Sequence, residues 1–82
     1  MTALARYLGT GKARDKAAAD AFTDGLRQAP GDALMWLNLA RARISADAPE
    51  AAAEAARHAR DLQPENPLNT RMLAECLARQ NR

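Results

Sequence analysis

Between Pro30 and Pro64 the apolar residues recur every three or four positions, and the rhythm breaks only at Ser45-Ala46-Asp47. That period belongs to helices with one buried stripe, so the stretch predicts two amphipathic helices joined by a short turn. Trp36, Leu39 and Ala40 share a face of the first, and Ala52, Ala56 and Ala59 share a face of the second. Large side chains on one helix oppose small ones on the other. Alanine-lined helices approach closely, which predicts an αα-hairpin with Trp36 as a knob in alanine holes.

Polar and helix-breaking residues mark the ends. Asp32, after Ala29-Pro30-Gly31, is an N-cap for a helix reaching Ile44 or Ser45. Asp47 with Glu50 reads as a capping box, and Pro49 suits the first turn of a helix running to Leu62. Asn66 and Pro67 open a further helix to Arg79 or Gln80, with Leu73 and Leu77 packing back on its predecessor. Upstream, residues 12–28 place Ala18, Ala21, Phe22, Gly25 and Leu26 on one stripe. Residues 2–8 add a short helical fragment carrying Leu4, Tyr7 and Leu8, ended by Gly9 and Gly11. The pattern thus predicts five helices.

Pro30 and Pro64 lie 34 positions apart, which is a repeat period. Shifted by that period, Ala17, Ala18, Ala19 and Ala21 align with Ala51, Ala52, Ala53 and Ala55, and Leu34, Leu39 and Ala40 with Leu68, Leu73 and Ala74. The set Trp36, Leu39, Ala40, Ala52, Ala56, Ala59 and Pro64 resembles the tetratricopeptide repeat. Arg43 and Ala56 depart from that pattern, standing where the family usually has a large residue and an aromatic, and Thr70 replaces the aromatic of the following unit. The resemblance implies an all-α fold of antiparallel hairpins stacked as a short right-handed superhelix, a single domain over residues 1–82 with units near 1–30, 31–64 and 65–82.

It also implies a non-catalytic protein-interaction module, in which the first helix of each hairpin lines a concave groove that takes a peptide or protein segment. On that side would lie Ala3, Leu4 and Tyr7, then Leu34, Leu37, Asn38 and Arg41, then Leu68, Arg71, Met72, Glu75 and Arg79. Leucine and methionine rimmed by arginine suit an acidic or amphipathic segment. Asn38 stands where many family members hydrogen-bond a bound peptide backbone. The places of a carboxylate clamp hold Leu4, Leu68 and Met72 instead, so no clamp is expected. Two other roles fit the same repeats: self-association through unfinished terminal faces, and service as an accessory domain of a larger assembly.

Composition narrows the chemistry. There is no valine and a single isoleucine, Ile44, so β-propensity is almost absent. Twelve basic residues against ten acidic ones give a net charge of +2, scattered rather than blocked. Arg41, Arg43, Arg57 and Arg60 lie among Asp47, Glu54 and Asp61 without interleaved aromatics, which argues against nucleic-acid binding. One cysteine, Cys76, closes no internal disulfide, and no Cys/His cluster has metal-ligand spacing, so no cofactor or metal is expected. Gly9-Thr10-Gly11-Lys12 looks like the end of a phosphate loop, but Arg6 and Ala13 replace its first glycine and its hydroxyl. His58 has no serine or cysteine to activate and is expected in solvent one turn from Glu54. No catalytic set is expected. No apolar run is long enough for a signal peptide core or a membrane span, which points to the cytoplasm.

Overall fold

A computed structural model describes residues 12–81. They form four α-helices: α1 (Lys12–Gln28), α2 (Ala33–Ser45), α3 (Pro49–Leu62) and α4 (Pro67–Gln80). No strand occurs among the described residues. The class is all-α, and these helix limits fall where the capping and breaking residues place them. The fragment at residues 2–8, with Leu4 and Tyr7, lies outside the described residues.

Local chemistry accounts for the ends. The Asp32 carboxylate accepts the Met35 amide at 3.1 Å, and the Asn66 side chain accepts the Leu68 amide at 3.0 Å, so both helices open on a filled cap. Pro67 occupies the first turn of α4, where its missing donor is not needed. Asp47, expected with Glu50 as a capping box, is not the N-cap residue of α3. Asp47 adopts φ 67°, and the amides of Asp47 and Ala48 donate to the carbonyls of Ile44 and Arg43 at 3.0 and 2.8 Å. This is a Schellman ending of α2, so Asp47 closes one helix instead of opening the next. The N-cap of α3 is Ala48, which has no side-chain bond to offer.

Contacts at opposite ends set the helix directions. Trp36, near the start of α2, meets His58 near the end of α3, while Arg43 near the end of α2 reaches Ala51 near the start of α3. Asn69, early in α4, likewise bonds to Ala59 and Gln63 at the end of α3. Hence α2 and α3 are antiparallel, α3 and α4 are antiparallel, and α2 runs parallel to α4. Each helix packs on its predecessor, α2 also approaches α4, and the backbone of α1 comes close to neither α3 nor α4.

The core follows from this layering. Sandwiched between α2 and α4, α3 buries Ala52, Ala53, Ala55, Ala56 and Ala59 completely. These five alanines span a wide arc of the helix, broader than the single stripe of Ala52, Ala56 and Ala59. Leu39, Ala40, Leu73 and Cys76 close on them, and Ala19 and Leu26 bring in α1. Cys76 and Leu73, rather than Leu77, seat α4, since Leu77 is exposed. On α1 the stripe turns slightly from expectation: Ala19 is buried, Ala21 exposed and Ala18 half-buried. Gly25 allows close approach to α2, because a Cβ there would stand 2.7 Å from the Met35 sulfur.

Candidate functional site

Three surfaces have chemistry to examine: the exposed side shared by the parallel helices α2 and α4, the opposite side of α2, and the seam between α3 and α4.

On the first surface, Leu34, Asn38, Arg41 and Ser45 follow one another at helical intervals and form the open side of α2. Leu34 is 64% exposed, Arg41 is exposed and Asn38 is half-buried. Leu37 was expected beside them but is 3% exposed. It lies 100° further round the helix from Trp36, away from the α1 side marked by Met35. It belongs to the core and not to a groove.

On α4 the open side holds Leu68, Arg71, Glu75 and Arg79, all exposed. Met72 is half-buried and packs against the core, so it contributes an edge rather than a free side chain. Arg79 pairs with Glu75 at 3.5 Å one turn away, whereas Arg41 and Arg71 form no ion pair within the described residues. Charge is unevenly shared among the helices. No carboxylate occurs on α2 and α4 has only Glu75, while α1 carries Asp15, Asp20 and Asp24, and α3 carries Glu50, Glu54 and Asp61. The α2/α4 surface is therefore apolar at its N-terminal turns and cationic beyond them. Tyr7, Leu4 and Ala3, expected on this side, lie outside the described residues.

The opposite side of α2 departs from the knob-in-holes expectation. Trp36 is only half-buried. The alanine groove takes part of the indole and the remainder lies against the His58 ring, with centroids 4.1 Å apart and planes at 14°. The indole Nε1 donates to the Pro30 carbonyl at 2.8 Å, which ties the entry to α2 to its first turn. His58 is thus exposed yet stacked, and makes no bond to Glu54. Next to this pair is an open hollow of about 280 Å³, lined by Thr23, Leu26 and Arg27 of α1, Trp36, Leu39 and Arg43 of α2, and Glu54 of α3. Arg43 Nη1 donates across the hairpin to the Ala51 carbonyl at 2.9 Å. Arg43 therefore bridges the helices by a hydrogen bond where the family pattern uses bulk.

The third surface contains Asn69, which the sequence did not single out. It is 1% exposed, and its Nδ2 donates to the Ala59 and Gln63 carbonyls at 3.1 and 3.2 Å. It is a side-chain cap on the C-terminus of α3 supplied by the next helix. Asn is a common surface residue, so nothing local marked this one as buried.

Among the described residues, the single thiol is not poised for chemistry. Cys76 is fully buried, and burial, with Glu75 adding to it, holds its thiol above the ordinary range, which disfavours the reactive thiolate. Its burial also removes the exposed thiol that an intermolecular disulfide would need. Among the described residues no group of His, Cys, Asp and Glu has the arrangement to hold a metal ion, and no helix is long and apolar enough to cross a membrane. Set against known proteins, the chain matches no family model, no curated protein and no solved structure.

Proposed function

We propose that this chain is a non-catalytic helical-repeat module of the tetratricopeptide kind, with α2 and α3 as a complete hairpin, which holds a segment of another protein along the exposed side of α2 and α4. One observation supports this reading above the others. The backbones of the parallel helices α2 and α4 approach each other while those of α1 and α3 do not, which is the asymmetry of a stack that curves toward its first helices. The 34-residue offset between the starts of α2 and α4 agrees with it. A surface of exposed leucines and unpaired arginines on that inner side has the composition of a docking face.

The test replaces Asn38 and Arg41 with alanine together. Both lie outside the buried core, so far-UV circular dichroism should be unchanged, while capture of binding proteins from an extract of the source cells should fall against wild type. Equal capture by the variant and the wild type would refute the assignment of this face.

Self-association is the second reading, favoured by the outward side of α4. Ala74, Leu77 and Ala78 are exposed there, at positions one period after Ala40, Arg43 and Ile44, against which α2 receives its neighbours. Sedimentation velocity across the micromolar range separates the two. A concentration-dependent dimer that Leu77→Asp abolishes supports self-association, and a monomer throughout removes it.

A further inference from the structure

Contacts between helices recur with the 34-residue offset. Gly25 of α1 stands against Met35 of α2, and one period later Ala59 of α3 stands against Asn69 of α4, whose Nδ2 bonds the Ala59 carbonyl. Equivalent positions can therefore be compared for cover. Inside the α2/α3 hairpin, Trp36 meets His58 and Arg43 meets Ala51, and between those contacts Ala40 and Ala55 are both 0% exposed. One period after Ala40 stands Ala74 of α4, and one period before Ala55 stands Ala21 of α1. Both are exposed. Their surroundings follow suit: Thr70 and Leu77 on α4 take the places of Trp36 and Arg43, Ala17 and Asp24 on α1 take those of Ala51 and His58, and all four are exposed. Thus α4 leaves open the side on which α2 receives α3, and α1 leaves open the side on which α3 receives α2.

From these two open strips, and resting on the reading that the chain self-associates, we infer that α4 of one copy packs antiparallel on α1 of a second copy. The contact completes between molecules the hairpin that α2 and α3 make within one. The internal pair supplies the register. Thr70 faces Asp24 where Trp36 stacks on His58, Leu77 faces Ala17 where Arg43 reaches Ala51, and Ala74 faces Ala21 between them. Every side chain on the two strips equals its internal counterpart in size or falls short of it, so the helices can approach as closely as α2 and α3 do. Polarity agrees as well. Asp24 holds Arg27 through one carboxylate oxygen at 3.2 Å and keeps the other for the Thr70 hydroxyl, while Leu77 meets alanine and no charge. Because the strips differ, the contact is heterologous. The first product keeps one open α4 and one open α1, and further copies add in the same direction.

The experiment mixes two variants of the full chain. Leu77→Asp spoils the α4 strip and leaves α1 intact, and Ala21→Arg spoils the α1 strip and leaves α4 intact. Both positions are exposed, so each variant keeps its core, and circular dichroism verifies that. In sedimentation velocity the wild-type mass should climb past that of a dimer as concentration rises. Either substitution alone should weaken self-association at least about tenfold. The equimolar mixture should then form a 1:1 complex that grows no further, because it joins the intact α4 of one variant to the intact α1 of the other and leaves only spoiled strips at its ends. Association that Leu77→Asp abolishes but Ala21→Arg does not, with no gain on mixing, points to a symmetric contact between two α4 helices; it overturns the inference and leaves self-association standing. A wild-type monomer at every concentration overturns both, and a fall in Tm of Ala21→Arg in that case assigns the α1 strip to the chain's own residues 1–11.

Discussion

Replacing Asn69 with alanine tests the packing of α4 on α3 more sharply than any core truncation, because the residue acts through two hydrogen bonds of defined direction. Its Nδ2 donates to Ala59 and Gln63, and each of those carbonyls also accepts a backbone amide, from Gln63 at 3.0 Å and from Asn66 at 3.1 Å. Removing the carboxamide therefore orphans no acceptor completely. The loss is two net hydrogen bonds at about 0.5–1.5 kcal/mol each, and a small void at a site that is 1% exposed. About 2 kcal/mol of destabilisation follows, which for a chain of this size lowers Tm by about 8–16 °C. Thermal unfolding followed by circular dichroism, with coincident tryptophan fluorescence as a check of two-state behaviour, measures it. Asn69→Asp distinguishes capping from mere volume. An ionised carboxylate cannot donate, and it faces the negative end of α3, so this variant should be less stable than the alanine at neutral pH. Burial and the helix end raise the folded-state pKa of that aspartate above its unfolded value. Its destabilisation is therefore smallest at acidic pH, where it is protonated and able to donate, and grows as pH rises. A Tm drop under ~4 °C for the alanine variant, or an aspartate variant insensitive to pH, would refute the cap.

His58→Ala should cost about 0.5–1.5 kcal/mol through the lost stack and shift emission of the single tryptophan, Trp36, to longer wavelength as its ring is uncovered; unchanged emission would mean that the rings do not stack in solution. Gly25→Ala gains about 1 kcal/mol of helix propensity but meets the Met35 sulfur, so it should be nearly neutral alone and stabilising by about 1 kcal/mol in a Met35→Ala background; additivity in that cycle would contradict the contact. Cys76 should react with a thiol reagent only after unfolding, and immediate reaction in the native state would contradict its burial. Because its thiol is raised by burial, the unfolded chain loses this proton first, so the cysteine's contribution to stability declines as pH climbs past the ordinary thiol value of 9.0. Comparing the pH profile of Cys76→Ala with wild type isolates that effect, and identical profiles would count against it.

Where helices begin and end was legible because the residues responsible act within a few positions of themselves. Asp32, Asn66 and Pro67 need only their own first turn, and each does in the structure what its chemistry suggests. Asp47 misled for the same reason. A short acidic residue before a proline suits both an opening cap and a left-handed closing residue, and the carbonyls of Arg43 and Ile44 decided between them. Sidedness was harder to read. Alanine is small enough for either a core or a surface, so five consecutive-turn alanines on α3 carried no sign of how many would be buried, and an asparagine reads as polar wherever it stands.

The candidate face shows the limit most clearly in Leu34 and Leu37, three residues apart and alike in polarity, of which one is 64% and the other 3% exposed. Only tertiary packing around α2 separates them. Yet the repeat itself holds a clue that single-helix periodicity does not use. One period after Leu37 stands Arg71, exposed, whereas one period after Leu34 stands another exposed leucine, Leu68. A position that is leucine where neighbours cover it and arginine where no described helix does is responding to packing. A position that stays leucine while exposed in both places is not explained by packing among the described residues.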